Sequence, residues 1–348
     1  MRKLKFSEAI LEGTTQLMEK DKSIIVLGEG VNDPTGMFGS TIGLHEKFGK
    51  DRVIEVPNSE SGFTGMAIGA AIRGLKPIIV HQRNDFLLLA MDQIVNQAAK
   101  WSYMFNGNAT CPLIIRAIVG RGWGQGAQHS QSLQSVFAHF PGLRVYFPTT
   151  PYDAKGVLAT NLLNLKGPVL ILEHRWSYKD IGEVPEELYE IDLAKSIVRT
   201  VGSDITIVTS SMMTALALRI QEKLQEKISI EIIDLLSIKP LDINSIVKSI
   251  EKTGHLIILD DDWKFSGISS EIISQVVENP VGMQSLRKPP VRIGWKDVPC
   301  PTSPVLENHF YPSEENVIET IFKLLEKPLN SIAKISLQSQ VKKFDGSF

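Results

Sequence analysis

Cysteine is scarce in this chain of 348 residues: there are two, Cys111 and Cys300, far apart. A disulfide framework or a zinc site needs clustered or repeated ligands, so neither can be built from this pair. A reducing compartment, the cytoplasm, is the expectation. Excess charge is also missing. Thirty-seven basic against 39 acidic residues leave a net charge of −2, which gives no basic footprint for nucleic acid. No apolar run approaches the ~20 residues of a membrane span; the longest, such as PIIV at Pro77 and LIILD at Leu256, suit buried parallel strands. In the first residues, MRKLKFSEAILEGTTQLMEK, charges break up every apolar stretch, and no signal-peptide hydrophobic region can be drawn.

What is present is an ordinary globular composition, 43% hydrophobic and 22% charged, at a length that suits two domains. Strand-like runs start at Ser23 (SIIVLG), Pro77 (PIIV), Cys111 (CPLIIRAIV), Gly142 (GLRVYFP) and Pro168 (PVLILEH). Helix-type spacing fills the gaps, as in ESGFTGMAIGAAIRG and TPYDAKGVLATNLLN. Such alternation predicts a parallel sheet covered by helices. From Ser177 the stretch SYKDIGEVPEELYEIDLAKSI is charged and lacks an apolar period, as expected of a surface linker. The pattern then restarts with DITIVTS, ISIEIIDL and HLIILD, predicting a second, smaller α/β domain. The fold class is therefore α/β in two domains, 1–190 and 191–330, with 331–348 as a weakly apolar tail.

Three segments carry candidate chemistry. In PNSESGFTGMAIGAA, Glu60 precedes Gly62, Gly65 and Gly69 at a strand-to-helix turn, where a carboxylate can face a crevice or simply complement the helix dipole. In GRGWGQGAQHSQS the glycines match no standard nucleotide-binding spacing. His129 at the end of that loop is either a proton donor or a structural imidazole. In VHQRNDFLLLAMDQ, Gln82, Asp85 and Phe86 follow a predicted strand, where open α/β sheets hold ligands; Phe86 can face a ring or pack in the core.

Taken in order, these pieces resemble one family. The segments GEGV at Gly28, TIGLHEKFGKDRVIEVPNSESGFTGMAIG, DQIVNQAAK, HSQS at His129, FAHFPGLRV, PYDAKG at Pro151 and VPCPTSPVLE near Cys300 are similar to the β subunit of the decarboxylase component of 2-oxo acid dehydrogenase complexes, in the transketolase-like group of thiamine diphosphate enzymes. The resemblance runs from about Lys3 to Leu325. It implies a parallel-sheet pyrimidine-binding domain followed by a smaller transketolase C-terminal-type α/β domain.

The resemblance further implies roles for particular residues. Glu60 would bond N1′ of the cofactor's aminopyrimidine, Phe86 would stack on that ring, and Gln82 and Glu29 would line the same place. His129 would act near the reacting carbon. The family anchors the diphosphate and Mg²⁺ with a GDG motif and a later Asn; this chain contains no GDG. An α-type partner carrying that motif is thus expected, in an α₂β₂ assembly, with a lipoyl acyltransferase core as a further partner and a small 2-oxo acid as substrate. Two other readings stand beside this one: a split-chain transketolase-like carboligase or non-oxidative decarboxylase, and a non-catalytic assembly subunit.

The sequence departs from the family at Gln128, at QRNDF and at HRWSYK. Arg83 and Asn84 in the second of these predict a substrate with extra hydroxyl or carboxyl groups rather than a branched aliphatic one, because buried polar groups penalise apolar ligands.

Overall fold

The computed structural model describes residues 2–122 and 124–328. The expected tail, 331–348, lies outside the described residues. Two compact units emerge. The first takes the chain up to Gly120, then Val136–Ala194 and Leu236–Pro240; the second takes Arg121–Ser135, Lys195–Leu235 and the chain from Leu241 onward. Both are α/β with mainly parallel sheets, the predicted class.

The strands in chain order are β1 (Arg2–Lys5), β2 (Ile24–Gly28), β3 (Val53–Glu55), β4 (Lys76–His81), β5 (Ile114–Val119), β6 (Arg144–Tyr146), β7 (Val169–His174), β8 (Ile181–Val184), β9 (Ile197–Thr200), β10 (Ile205–Thr209), β11 (Ile230–Asp234), β12 (Ser237–Lys239), β13 (Leu256–Trp263) and β14 (Val291–Trp295). The first unit holds a seven-stranded sheet in the order β12-β6-β7-β5-β4-β2-β3. All neighbours are parallel except β12 against β6. Strands β2, β5 and β7 are buried along their whole length, as expected of inner parallel strands covered on both faces.

Local chemistry sets the helix boundaries. Helix Pro151–Leu163 starts where the Thr150 hydroxyl accepts from the Asp153 N–H, the Asp153 carboxylate accepts from the Thr150 N–H, and Pro151 fixes the first turn. On this helix Lys155 is fully buried, yet its ammonium donates to Glu12 at 2.6 Å and to the carbonyls of Pro185 and Glu186 at 2.9 and 3.0 Å. Gly28, the last residue of β2, must lack a side chain because a Cβ there would sit 2.4 Å from the Val80 carbonyl oxygen. The backbones of β2 and β4 therefore approach at the point where the candidate site begins.

The stretch from Ser177 differs from a bare surface linker. Tyr178 is buried, and β8 pairs antiparallel with β1. The physical reason is a single anchor: the Tyr178 hydroxyl donates to Glu173 Oε2 at 2.5 Å. One buried aromatic in a polar run leaves no periodic signature. Glu173 also receives both arms of Arg116, Nε to Oε1 at 2.6 Å and Nη2 to Oε2 at 2.9 Å, while Nη2 also donates to Ser40 Oγ at 2.8 Å. The arginine and the glutamate are 1% and 2% exposed, so the pair lies wholly inside the unit between β5 and β7.

The second unit carries a five-stranded sheet in the order β14-β13-β10-β11-β9, parallel except for β9. Its core gathers Ile205, Ile207, Ile232, Ile257 and Leu259 from the strands with Met213, Leu216 and Ile220 from helix Ser211–Leu224. Helix Ile243–Thr253 is capped by the Asp242 side chain accepting from the Ser245 N–H and is ended by left-handed Gly254. No helix among the described residues is long and apolar enough to cross a membrane.

Removing one member of the buried Arg116–Glu173 pair should be costly, because the other charge stays desolvated. Glu173→Leu is expected to destabilise by about 3–5 kcal/mol, and adding Arg116→Met should restore much of that loss. Denaturant unfolding of the two variants measures it; a cost below ~1 kcal/mol for the single change would contradict the assignment.

Candidate active site

Three parallel neighbours, β4, β2 and β3, release their chains at one edge of the first sheet. Glu29 follows β2, Glu60 opens helix Glu60–Ile72 after β3, and Gln82 follows β4. This is the carboxyl edge, where open α/β sheets bind ligands. Gln82 Nε2 donates to the Glu29 carbonyl at 3.5 Å. Glu55, the last residue of β3, accepts from the Gly30 N–H at 2.8 Å and so holds the turn after Glu29 in place. Gly30 adopts φ +71, which a residue with a side chain rarely does.

Charge accumulates here. The Glu29 carboxyl is pushed above its ordinary value, chiefly by burial and then by the charges of Glu60 and Glu55. Glu60 is half-buried and Phe86 presents a half-buried ring on the turn Asn84–Ala90, which packs against helix Glu60–Ile72. Beneath them His81 is fully buried against the Phe63 ring at 5.1 Å, and burial pushes it down to about 3, so it stands there as a neutral imidazole.

Glu29, Glu60, Gln82 and Phe86 therefore come from one edge of the first unit. His129 does not belong to that unit; it follows the short turn Gly126–Gln128 within the segment Arg121–Ser135 of the second. That segment is pinned at both ends to three consecutive acids on β13. Arg121 Nη1 donates to Asp261 Oδ1 at 3.1 Å, with its guanidinium carbon 4.2 Å from the centre of the Tyr311 ring. At the other end Gln134 Nε2 donates to Asp260 Oδ1 at 3.2 Å and Ser135 Oγ donates to Asp262 Oδ2 at 2.6 Å. Trp295 Nε1 adds a bond to Asp261 at 3.0 Å, and Cys300 Sγ donates to the Ser130 carbonyl.

These aspartates escaped the sequence reading, as did Arg116, Glu173 and Tyr178. A run of acids directly after the apolar LIIL of β13 was the available signal. Burial raises Asp260 to about 7, opposed by the bond from Gln134 and helped by the charge of Asp261. Asp262 is raised well above the usual carboxylate range by burial and then by Asp260. Cys111 is inert at neutrality, since burial pushes its thiol up to about 12.

The sheets, their order and the edge that carries Glu60 define a protein of transketolase-like architecture. Residues 2–180 match the transketolase pyrimidine binding domain, and residues 194–317 match the transketolase C-terminal domain. Among curated proteins, the chain is 37% identical to the acetoin:2,6-dichlorophenolindophenol oxidoreductase subunit beta of Bacillus subtilis, over 94% of this chain and 98% of that one. It is 36% identical to the 2-oxoisovalerate dehydrogenase subunit beta of the same organism, over 94% and 100%. A solved split-gene transketolase, described as an inactive β4 tetramer, shares the fold with a TM-score of 0.75 at 22% identity, over 92% of this chain and 98% of that one. The chain belongs to the family of β subunits of the decarboxylase component of 2-oxo acid dehydrogenase complexes. Membership in this family carries the use of thiamine diphosphate.

The raised Asp260 sets a pH dependence with a definite sign. Its folded value lies above that of an unfolded aspartate, so stability contributed by the neutral form is complete at acid pH and is lost as pH rises toward and through about 7. Thermal unfolding followed from pH 5 to pH 8 should show this loss, and Asp260→Asn should flatten it; an unchanged profile in the variant would remove Asp260 as its source.

Proposed function

We propose that this chain supplies the aminopyrimidine half of a thiamine diphosphate site and, paired with an α-type chain, catalyses oxidative decarboxylation of a 2-oxo acid with acyl transfer to lipoamide. The observation that carries this reading is the gathering of Glu29, Glu60 and Gln82 at one carboxyl edge beside the Phe86 ring. A half-buried carboxylate, an amide and a half-buried aromatic face fit a flat, nitrogen-rich ring: the carboxylate meets a ring nitrogen, the amide meets an edge, and the aromatic face meets the plane. The residues present therefore fit the cofactor.

When bound, thiamine diphosphate supplies the nucleophilic carbon and the electron sink for loss of carbon dioxide. The protein's part is proton placement and positioning. Glu60 would hold a proton at N1′ of the pyrimidine, Phe86 would offer its face to the ring, and Gln82 ties the site to the β2 turn. Glu29, raised by burial and by its acidic neighbours, is the group best placed to carry a second proton at this edge. His129 is assigned as a donor during acyl transfer. The diphosphate and Mg²⁺ fall to the partner, because the sequence has no GDG motif. Two buried cysteines outside any disulfide suit a reducing compartment, the cytoplasm.

Glu60→Gln in the reconstituted pair is expected to lower turnover of the accepted 2-oxo acid by on the order of a hundredfold or more, with the assembled size unchanged. Turnover unaffected by the substitution would remove the catalytic assignment. Reductive acylation of a lipoyl domain, against condensation with an added aldehyde, separates the dehydrogenase reading from a carboligase.

A further inference from the structure

Two arginines converge on one aromatic ring at the same carboxyl edge. Arg83 follows β4 and Arg175 follows β7, the strands that flank β5 on either side. Their guanidinium carbons lie 5.5 Å and 4.3 Å from the centre of the Phe38 ring, and Arg175 also lies 5.4 Å from the centre of the Tyr178 ring. Arg83 is 7% exposed. Arg175 and Phe38 are half-buried, so Arg175 keeps part of its surface open. Arg83 Nη1 donates to the Gln82 carbonyl at 3.1 Å, which ties the cationic pair to the residue that also reaches Glu29.

Two like charges share one ring, and their electrostatic surroundings differ. Burial and then the charge of Arg175 lower Arg83, opposed by Asp85, while burial alone leads the lowering of Arg175. Asp85, itself buried, supplies negative charge to Arg83, whereas Glu173, two residues before Arg175, is committed to Arg116 and to the Tyr178 hydroxyl. Among the described residues no carboxylate forms an ion pair with Arg175, and no hydrogen bond holds its guanidinium; it rests on two aromatic faces. A fork-shaped donor kept half-open on a rigid platform matches a carboxylate or a phosphate oxygen pair.

We infer that Arg175, seated beside Arg83 on the Phe38 ring, forms a subsite for a second anionic group on the substrate, so that the 2-oxo acid taken by this site carries a carboxylate or a phosphate at the end remote from its oxo group. This inference rests on the proposed decarboxylase function. It deepens that reading by excluding an unfunctionalised aliphatic tail as the preferred one.

The test uses the reconstituted pair and three 2-oxo acids: 2-oxoglutarate, 3-phosphohydroxypyruvate and the neutral-tailed 2-oxopentanoate. The wild type should favour one anionic substrate over the neutral one in kcat/KM, and which of the two it favours distinguishes carboxylate from phosphate. Arg175→Gln should lower that preference by roughly tenfold or more, and Arg175→Lys, which keeps the charge without the fork, should lower it less. Turnover of 2-oxopentanoate with no anionic preference, and no change in the variants, would overturn the subsite and leave the decarboxylase reading standing. Absence of turnover with all three would count against the decarboxylase reading. The subsite is then decided by thermal unfolding of the full chain with glutarate, phosphate or pentanoate: stabilisation by a dianion that Arg175→Gln abolishes supports it, and equal shifts with all three contradict it.

Discussion

A guanidinium and a carboxylate enclosed between β5 and β7 organise the site-bearing half of this molecule. Arg116 and Glu173 are costly to bury, and the cost is offset only because every arm of Glu173 is occupied, by two bonds from Arg116 and one from Tyr178. The same pair reaches outward in two directions. Through Ser40 it holds the loop that carries Phe38, and through Tyr178 it holds the turn that carries Arg175. The position of the cationic pair on Phe38 follows from this anchor. So does the packing of a segment whose composition reads as linker.

The carboxyl edge of the first sheet sorts charge by strand. Acids follow β2 and β3, and arginines follow β4 and β7, so one edge offers a carboxylate-rich place and a guanidinium-rich place side by side. Each cluster holds like charges close together, which costs stability. A cofactor ring that shares protons with the acids, and a substrate anion that meets the arginines, would each relieve the repulsion where it arises. In the second unit the same tension serves a structural end: Asp260, Asp261 and Asp262 are buried together and accept from Gln134, Arg121, Trp295 and Ser135, which fixes both ends of the segment bearing His129.

Much of the fold was legible because inner parallel strands write continuous apolar runs, as PIIV and PVLILEH do, and because the Thr150–Asp153 capping box announces its helix. Glu60, Gln82 and Phe86 were legible as residues following strands, where local order alone places a side chain at the sheet edge. Tyr178 was not, because its burial depends on Glu173 and that glutamate's on Arg116, 57 positions before it in the chain. The role of the acids of β13 was not legible for the same reason: what buries them is a loop more than a hundred residues earlier. The meaning of Arg175 needed the three-dimensional pairing most of all, since only the structure shows that the nearby glutamate is already taken.

We propose that this chain holds half of a cofactor site and does not hold the cofactor alone. Calorimetric titration of thiamine diphosphate with Mg²⁺ into the isolated chain, and then into the chain combined with its α-type partner, tests it most directly. The account predicts no tight saturable binding by the isolated chain and one tight site per pair once the partner is present. Tight binding of the cofactor by the isolated chain would contradict it.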